Sequence, residues 1–303
     1  MILNKCNTLK KNVLNVWSDK GAAWLDQLPD TIEQLMDLWQ LSDLTPVDNM
    51  SYNYVGFVTT QDKKPAVLKF SCDKALIEDE YKALKHFNGK GAIDVIAHNE
   101  QGNALLLERA VPGTLLKDHK NICIDETIQI YADVIKCLAN HKNSDLNDFV
   151  HMSHWCKAID RIKPGDIESV YVNKANDLRK HLLNTATHEF VCHGDLHLEN
   201  ILLHGNDWVI IDPKGIIGEI AFEAAAFDLL SDDEINQAHD IAQLLKQRIE
   251  RLSVALDIDY QRLLSWVYLR TMISAQWFIE DNGDPSKMIN LMKQLYLLIS
   301  RAD

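Results

Sequence analysis

The chain has 303 residues, of which 47 % are apolar and 25 % are charged, and its formal net charge is −13. That length exceeds what one small core holds, so we expect one large or two modest lobes in a folded protein, not a disordered one. A strongly acidic surface repels nucleic acids and anionic membranes, which argues against both as partners. It attracts cations, although acidity is equally typical of a protein that is merely well solvated.

The cysteines and the N-terminus both indicate a cytoplasmic protein. No C-x-x-C pair occurs among Cys6, Cys72, Cys123, Cys137, Cys156 and Cys192. Their scatter through apolar contexts predicts reduced, buried thiols. The first five residues lack the apolar core of a signal peptide, and no apolar run is long enough to span a bilayer.

A helical segment opens the chain. Apolar residues recur at three- and four-residue steps over residues 21–44, which predicts an amphipathic helix with an interruption near Pro29. We therefore expect residues 1–49 to form an N-terminal helical segment.

The sequence pattern of residues 50–108 predicts a small sheet with one inserted helix. Residues 52–60 and 65–70 are rich in β-formers and flank a polar turn, so they predict a hairpin. Helical spacing returns over residues 74–87. Two further short strands are predicted at 93–98 and 104–108.

Residues 109–303 are mainly helical. Helical spacing occurs over 125–140, 167–183, 232–256, 260–280 and 286–299. One hairpin is predicted within this half, from residues 201–203 and 208–211 around the turn 204–207. The predicted fold class is therefore α+β, with a small β-rich lobe followed by a large helical lobe.

Polar residues cluster at this hairpin. If Leu202 faces Ile210, then Asn200 faces Asp212 at the open end, where opposed residues sit about 5 Å apart. An amide oxygen and a carboxylate aimed at one point suit Mg²⁺. Asp195, which enters from the preceding loop, is placed to orient and deprotonate an attacking hydroxyl, as in the kinase arrangement of these residue types.

The residues around the hairpin resemble a known family. Residues 193–200 read HGDLHLEN and 211–215 read IDPKG, similar to the catalytic and metal segments of aminoglycoside phosphotransferases. The continuation GEIAFEAA at 218–225 resembles the branch containing streptomycin kinases and hydroxyurea-resistance kinases. Weaker matches are GAAW at 21–24 and LERA at 107–110.

This resemblance implies a protein-kinase-like two-lobe fold with ATP between the lobes and Mg²⁺ held by Asn200 and Asp212. Asp195 would be the catalytic residue acting on a hydroxyl of a small acceptor. The implied nucleotide contacts are Lys69, its helix partner Glu80, the hinge residues Glu108 to Ala110, and Ser51 in a turn that lacks the GxGxxG pattern of protein kinases.

Acidic residues of the helical half suggest a cationic acceptor, such as an aminoglycoside of the streptomycin type. The acceptor candidates are Glu219, Glu223, Trp277 and Glu280, with Asp228 and Asp281 as further acids. The opposing interpretation is that these acids are solvated or paired with arginines, which would leave the cleft neutral.

Other functions stay open at this point. One is a metabolic kinase for an amino-sugar or amino alcohol, and another is a non-catalytic nucleotide-binding protein. A third is a metallohydrolase using the H-x-D-x-H of His193, Asp195 and His197, although no further His/Cys cluster completes such a site. No feature of the sequence indicates an oligomeric state.

Overall fold

A computed structural model describes residues 6–119, 122–141 and 146–300. The chain divides into two compact units, the first of Met1–Gly113 with Leu203–Val209 and the second of Thr114–Leu202 with Ile210–Asp303. The tip of a hairpin from late in the sequence therefore belongs to the first unit.

Two helices open the first unit, α1 (Asn7–Asp26) and α2 (Leu28–Leu38). The backbone of α1 kinks at Ser18, where φ is 43°. Gly21 lets the two arms of α1 approach, because a Cβ there would lie 2.6 Å from the carbonyl oxygen of Val13. Pro29 lies in the first turn of α2, where its missing N–H costs nothing.

The predicted helix over residues 21–44 extends too far. The helix α2 ends at Leu38, Gln40 takes a positive φ of 51°, and the strand β1 (Ser42–Pro46) follows. A left-handed residue stops a right-handed helix, and β1 then gains backbone partners in the neighbouring strand. The backbone hydrogen bonds to residues 56–59 thus outweigh the local helical spacing.

The remaining elements of the first unit agree with the predicted hairpin, helix and strands. They are β2 (Tyr54–Thr59), β3 (Pro65–Phe70), α3 (Lys74–Phe87), β4 (Val95–Asn99) and β5 (Ala104–Glu108). The five strands form an antiparallel sheet in the order β1, β2, β3, β5, β4. One face packs Leu68 and Leu106 against Leu9 and Leu28 of the opening helices, so alternation places Lys69 on the other face.

The chain from Pro112 onward, which includes all of the second unit, is built mainly of helices. After β6 (Pro112–Leu115) come α4 (Ile124–Ala139), β7 (Val150–His151), α5 (Met152–Cys156), α6 (Ser169–Asn184), β8 (Phe190–Cys192), β9 (Ile201–His204), β10 (Asp207–Ile210), β11 (Ile216–Gly218), α7 (Ile220–Ala224), α8 (Asp232–Gln237), α9 (Ile241–Leu256), α10 (Tyr260–Glu280) and α11 (Ser286–Ser300). The long helix α10 packs against α6, α7, α9 and α11.

The prediction of a single hairpin in this half was incomplete. Besides β9 and β10, a small sheet of order β7, β11, β8 is present, with β11 parallel to β7 and antiparallel to β8. These strands have two or three residues, too few to show an alternating pattern. The predicted helix over 232–256 is divided into α8 and α9, because Asp240 leaves the helical backbone and its carboxylate caps the N–H of Gln243.

The cysteine prediction is confirmed in part. None of the six cysteines forms a disulfide, and four are buried, but Cys123 and Cys137 are exposed. Cys123 precedes α4 as its N-cap residue, which explains its position at the surface. Within the described residues, every helix is too short or too polar to cross a membrane.

Candidate active site

The loop after β8 is held by His193, which is fully buried. Its Nε2–H donates to the carbonyl oxygen of Ile211 at 2.8 Å, and its Nδ1 accepts from the N–H of Asp195 at 3.1 Å. Burial lowers the pKa of His193 to about 4, so the ring is neutral near pH 7. Since both ring nitrogens brace the loop, this histidine offers no metal ligand, and the metallohydrolase interpretation gains no support.

Asn200 ends a single 3₁₀ turn, Leu198–Asn200, and is buried. Its Nδ2 donates to the carbonyl oxygen of Asp195 at 2.9 Å and lies 3.1 Å from Nε2 of His197. With the amide nitrogen used inside the loop, Oδ1 is the atom through which Asn200 can bind a cation.

The predicted register of the β9–β10 hairpin is wrong by one residue. The N–H of Ile211 donates to the carbonyl oxygen of Asn200 at 3.0 Å, so Ile211 lies opposite Asn200 where Asp212 was expected. The turn has two residues, Gly205 and Asn206, with Gly205 at φ 60°. Placing Leu202 opposite Ile210 requires a turn with an odd number of residues, whereas the observed two-residue turn sets His204 opposite Asp207 and shifts the register by one.

Asp212 lies beyond the end of β10 in the left-handed region, with φ 57°. Aspartate tolerates this conformation better than most residues. The Lys214 ammonium donates to Oδ1 of Asp212 at 2.9 Å, and the Lys214 N–H donates to the carbonyl oxygen of His193 at 2.7 Å. The motif containing Lys214 was visible in the sequence, but this role was not predicted.

The Asp195 side chain is 46 % exposed, and Nε2 of His197 lies 4.0 Å from its Oδ2. Its backbone is fixed by His193 and Asn200 on either side. The second unit thus presents an open carboxylate on a rigid loop, the arrangement that a proton acceptor requires.

Glu223 of α7 lies under the same loop and is fully buried. Its two carboxylate oxygens accept the N–H of His193 at 2.8 Å and the N–H of Gly194 at 2.9 Å. Burial raises the pKa of Glu223 to about 7, while these N–H groups and Arg270 act in the opposite direction. From the other side, Arg270 of α10 donates to the carbonyl oxygen of Gly194 at 2.7 Å. Arg270 was not predicted as a site residue, because nothing in the sequence links it to the loop.

The other acceptor candidates are also engaged in internal contacts. Arg262 binds both carboxylate oxygens of Glu219 at 2.8 Å, and Trp266 donates to the same group. Arg161 binds both oxygens of Glu280 at 2.6 and 2.9 Å, which lowers the pKa of that carboxyl.

Two further acceptor candidates, Trp277 and Asp228, also contact other residues of the fold. Trp277 lies edge-on to Trp155 with ring centroids 5.1 Å apart. Asp228 accepts the N–H of Leu198 at 3.0 Å. The carboxylates considered for a cationic acceptor are thus mostly engaged within the fold, as the opposing interpretation held.

In the first unit, β3 and α3 place Lys69 beside Glu80. Lys69 Nζ lies 2.6 Å from Glu80 Oε2, and both side chains are buried. Lys69 is in register with Val55 and Leu105 of the adjacent strands. The pairing inferred from the family resemblance is therefore present.

Of the predicted hinge residues, Glu108 ends β5 and Ala110 follows two residues later, both within the first unit. The N–H of Val111 donates to Nδ1 of His204 at 3.0 Å, and Nε2 of the same ring lies 3.6 Å from Glu108 Oε1. His204 thus contacts the predicted hinge segment from a hairpin far along the chain, a contact that no local pattern in the sequence indicates. Ser51 is exposed, and its carbonyl oxygen accepts from Asn12 Nδ2 at 3.1 Å.

The sequence matches a model of the family described as aminoglycoside/hydroxyurea antibiotic resistance kinase over residues 39–282. A streptomycin 3''-kinase of Klebsiella pneumoniae is 31 % identical over 230 residues, or 73 % of this chain and 82 % of its own. A streptomycin 6-kinase of Streptomyces glaucescens is 25 % identical over 290 residues, or 91 % of each chain.

Solved structures share the fold at low identity. The choline kinase LicA from Streptococcus pneumoniae superposes with a TM-score of 0.64 at 14 % identity, covering 89 % of this chain and 99 % of its own. A thermostable mutant of the aminoglycoside phosphotransferase APH(4)-Ia, in ternary complex with ADP and hygromycin B, gives 0.61 at 13 % identity, covering 88 % and 97 %. The predicted protein-kinase-like fold is confirmed. By its sequence, the chain belongs to the aminoglycoside/hydroxyurea antibiotic resistance kinase family and is a phosphotransferase.

Proposed function

We propose that the protein transfers the γ-phosphate of ATP to a hydroxyl group of an aminoglycoside of the streptomycin type. The observation that carries the proposal is the catalytic loop, in which Asp195 keeps an open carboxylate while His193 and Asn200 fix its backbone. Within the family, this loop supports a reaction driven by positioning and charge neutralisation rather than by a covalent intermediate.

Asp195 would accept the proton of the acceptor hydroxyl. The hydroxyl oxygen then forms a bond to the γ-phosphorus as the bond to the β–γ bridging oxygen breaks, and ADP leaves. Because the Asp195 carboxylate is nearly half exposed, an acceptor reaches it without displacing a buried partner.

Asn200 and Asp212 fit the requirements of a magnesium site. Oδ1 of Asn200 and the carboxylate of Asp212 are hard oxygen ligands, and Mg²⁺ is usually held by one or two carboxylates together with water and substrate phosphates. No group of three or more His, Cys, Asp or Glu side chains within the described ranges is arranged to hold a metal. When bound, Mg²⁺ would neutralise charge on the phosphate oxygens. Lys214 would exchange its contact with Asp212 for one with the ligand.

The nucleotide contacts of the first unit are proposed from the family resemblance. Residues 50–108 would bind the nucleotide, with Lys69 held by Glu80 for the phosphates, Glu108 and Ala110 for the base, and Ser51 in the covering turn. Residues 109–303 would supply the catalytic loop and the acceptor site. The ADP complex of the phosphotransferase with the same fold supports this use of a nucleotide.

The acceptor class is proposed from the relatives, which are named as kinases of streptomycin at position 6 or 3''. The experiment measures ADP release with ATP and Mg²⁺ in the presence of streptomycin, a neutral sugar or choline. Phosphorus NMR of the product then identifies the modified hydroxyl. Turnover with streptomycin, and much less with the others, is the expected result.

Two outcomes would contradict the proposal. A clear preference for the neutral sugar or choline would favour a metabolic kinase on the same scaffold. Nucleotide binding without turnover of any hydroxyl compound would favour a non-catalytic protein, which the pairing of Lys69 with Glu80 and the open Asp195 argue against.

A further inference from the structure

Gly194, the residue directly before Asp195, has a conformation that only glycine adopts easily. Its φ is 88°, and a Cβ there would lie 2.8 Å from Cγ1 of Ile216 and 3.3 Å from the indole of Trp155. Glycine has the widest backbone freedom of any residue. The direction of the Asp195 side chain therefore depends on groups outside the loop that fix the peptide planes around Gly194.

Three contacts hold those planes. Glu223 accepts the N–H of Gly194, His193 accepts the N–H of Asp195, and Arg270 donates to the carbonyl oxygen of Gly194 at 2.7 Å. The last two contacts act on opposite edges of one planar peptide group, the group that leads into Asp195. A peptide plane fixed at both edges cannot rotate without breaking a hydrogen bond.

The environment of Arg270 is costly for a charged side chain. Arg270 is only 6 % exposed. Its guanidinium carbon lies over the rings of Trp155 and Phe222, 4.9 and 5.0 Å from their centres, and its charge attracts the Glu223 carboxylate, so these contacts offset part of the cost of burial. Its Nη1 is buried without a hydrogen-bond partner in the part of the chain that the structure describes. A buried charge whose donors are incompletely satisfied destabilises a fold, and a well-packed apolar side chain at the same place is often more stable. The hydrogen bond to the Gly194 carbonyl oxygen is the contact that an apolar side chain at this position could not supply.

We infer that Arg270 is a positioning residue for phosphoryl transfer, acting on the Gly194 carbonyl so that the Asp195 carboxylate faces the acceptor hydroxyl. The inference rests on the proposed role of Asp195. It adds to that role a residue of α10, 75 positions away in the sequence from Asp195. Because Arg270 is buried, it would act through the backbone of the loop and not through a direct contact with the acceptor or the nucleotide.

The test compares Arg270→Met, which keeps a side chain of similar length, with Arg270→Lys, which keeps one donor for the carbonyl. Arg270→Met should lower kcat with ATP and streptomycin about 100-fold, since a misplaced catalytic group costs a factor of that order. The KM values of both substrates should stay within about threefold, because the residue is not a binding contact. Arg270→Lys should regain roughly tenfold of the loss.

Hydrogen exchange of the substrate-free enzyme supplies a second readout that needs no activity. In Arg270→Met, the amides of Gly194 and Asp195 should exchange faster while those of α9 and α11 keep their protection. Arg248→Met is the matched control, because Arg248 pairs with Glu234 away from the loop. It should leave kcat and loop exchange unchanged.

Two results would overturn the inference. One is a kcat for Arg270→Met within about twofold of wild type, a change too small for a displaced catalytic group. The other is accelerated exchange throughout the helical unit, which would assign Arg270 to stability instead. If Arg270→Met does not fold, the same two measurements on Arg270→Lys decide. A wild-type enzyme inactive on every acceptor would defeat the proposed function, while the exchange experiment would still test the contact.

Discussion

The Lys69 ammonium and the Glu80 carboxylate form an ion pair at 2.6 Å in which the side chains are only 8 % and 3 % exposed. Removing one partner leaves the other charge buried, so Lys69→Met should lower the free energy of unfolding by about 3 kcal/mol. It should also raise the KM for ATP at least about tenfold, the equivalent of one charge-assisted hydrogen bond. Chemical denaturation and steady-state kinetics measure the two effects.

The double variant Lys69→Met/Glu80→Leu separates structure from function. It removes both charges, so most of the lost stability should return, while the KM for ATP stays high. Recovery of normal ATP kinetics along with stability would show that the pair serves only the fold.

Asp195→Asn should leave the fold intact, because the contacts that hold residue 195 involve its backbone. Loss of the proton acceptor should lower kcat about 100-fold or more, with nucleotide affinity unchanged. Asp207→Asn, at an exposed position of the hairpin tip, is the control and should behave like wild type. Turnover near the wild-type rate would exclude Asp195 as the catalytic residue.

Asp212→Ala should abolish the effect of Mg²⁺ on nucleotide binding. Wild-type protein should bind ADP more tightly with Mg²⁺ than without, since the cation joins protein oxygens to phosphate oxygens. Titration calorimetry with and without Mg²⁺ makes the comparison. An identical magnesium dependence in the variant would remove Asp212 from the metal site.

His193 and Glu223 should give opposite pH dependences of stability. The folded pKa of His193 is lowered from 6.5 to about 4, so the unfolded chain holds more protons between these values and stability rises with pH there. The folded pKa of Glu223 is raised from 4.5 to about 7, so the folded protein holds more protons and stability falls as pH rises through that window.

Glu223→Gln isolates the histidine contribution. Between pH 4 and 6.5, its stability should rise with pH more steeply than that of wild type, by up to about 1.4 kcal/mol per pH unit for one proton. Urea denaturation across this range measures the slope. Equal slopes in both proteins would contradict the pKa shift of Glu223.

Local signals in the sequence were sufficient for much of the fold. The hairpin of β2 and β3, the helix α3 and the long helix α10 have a clear period and clear ends, so they were predicted close to their observed bounds. The strand β1 was read as helix, because its partner β2 is not visible to a local pattern. The strands β7, β8 and β11 have only two or three residues, too few to show a repeated alternation.

The candidate site was likewise predicted only in part from the sequence. Asp195, Asn200 and Asp212 stand within 18 residues of one another, so their motif was readable in the sequence. The register of the β9–β10 hairpin could not be predicted from the motif, because the two-residue turn and the left-handed backbone of Asp212 depend on the tertiary fold. The groups that brace the loop, Glu223 and Arg270, come from later helices, and no spacing rule connects them to it.

The hairpin tip Leu203–Val209 gives the first unit a discontinuous sequence. During synthesis, all strands of the five-stranded sheet are available once residue 108 has left the ribosome. The segment that follows β5 still lacks its hydrogen-bond partners at that stage. The hydrogen-bond partners of Val111 are synthesised more than 90 residues later: Nδ1 of His204 accepts from its N–H, and the N–H of Gly205 donates to its carbonyl oxygen. Val111 is therefore among the last residues of that unit to reach its native hydrogen bonds, and a fragment ending at Gly113 lacks the groups that form them.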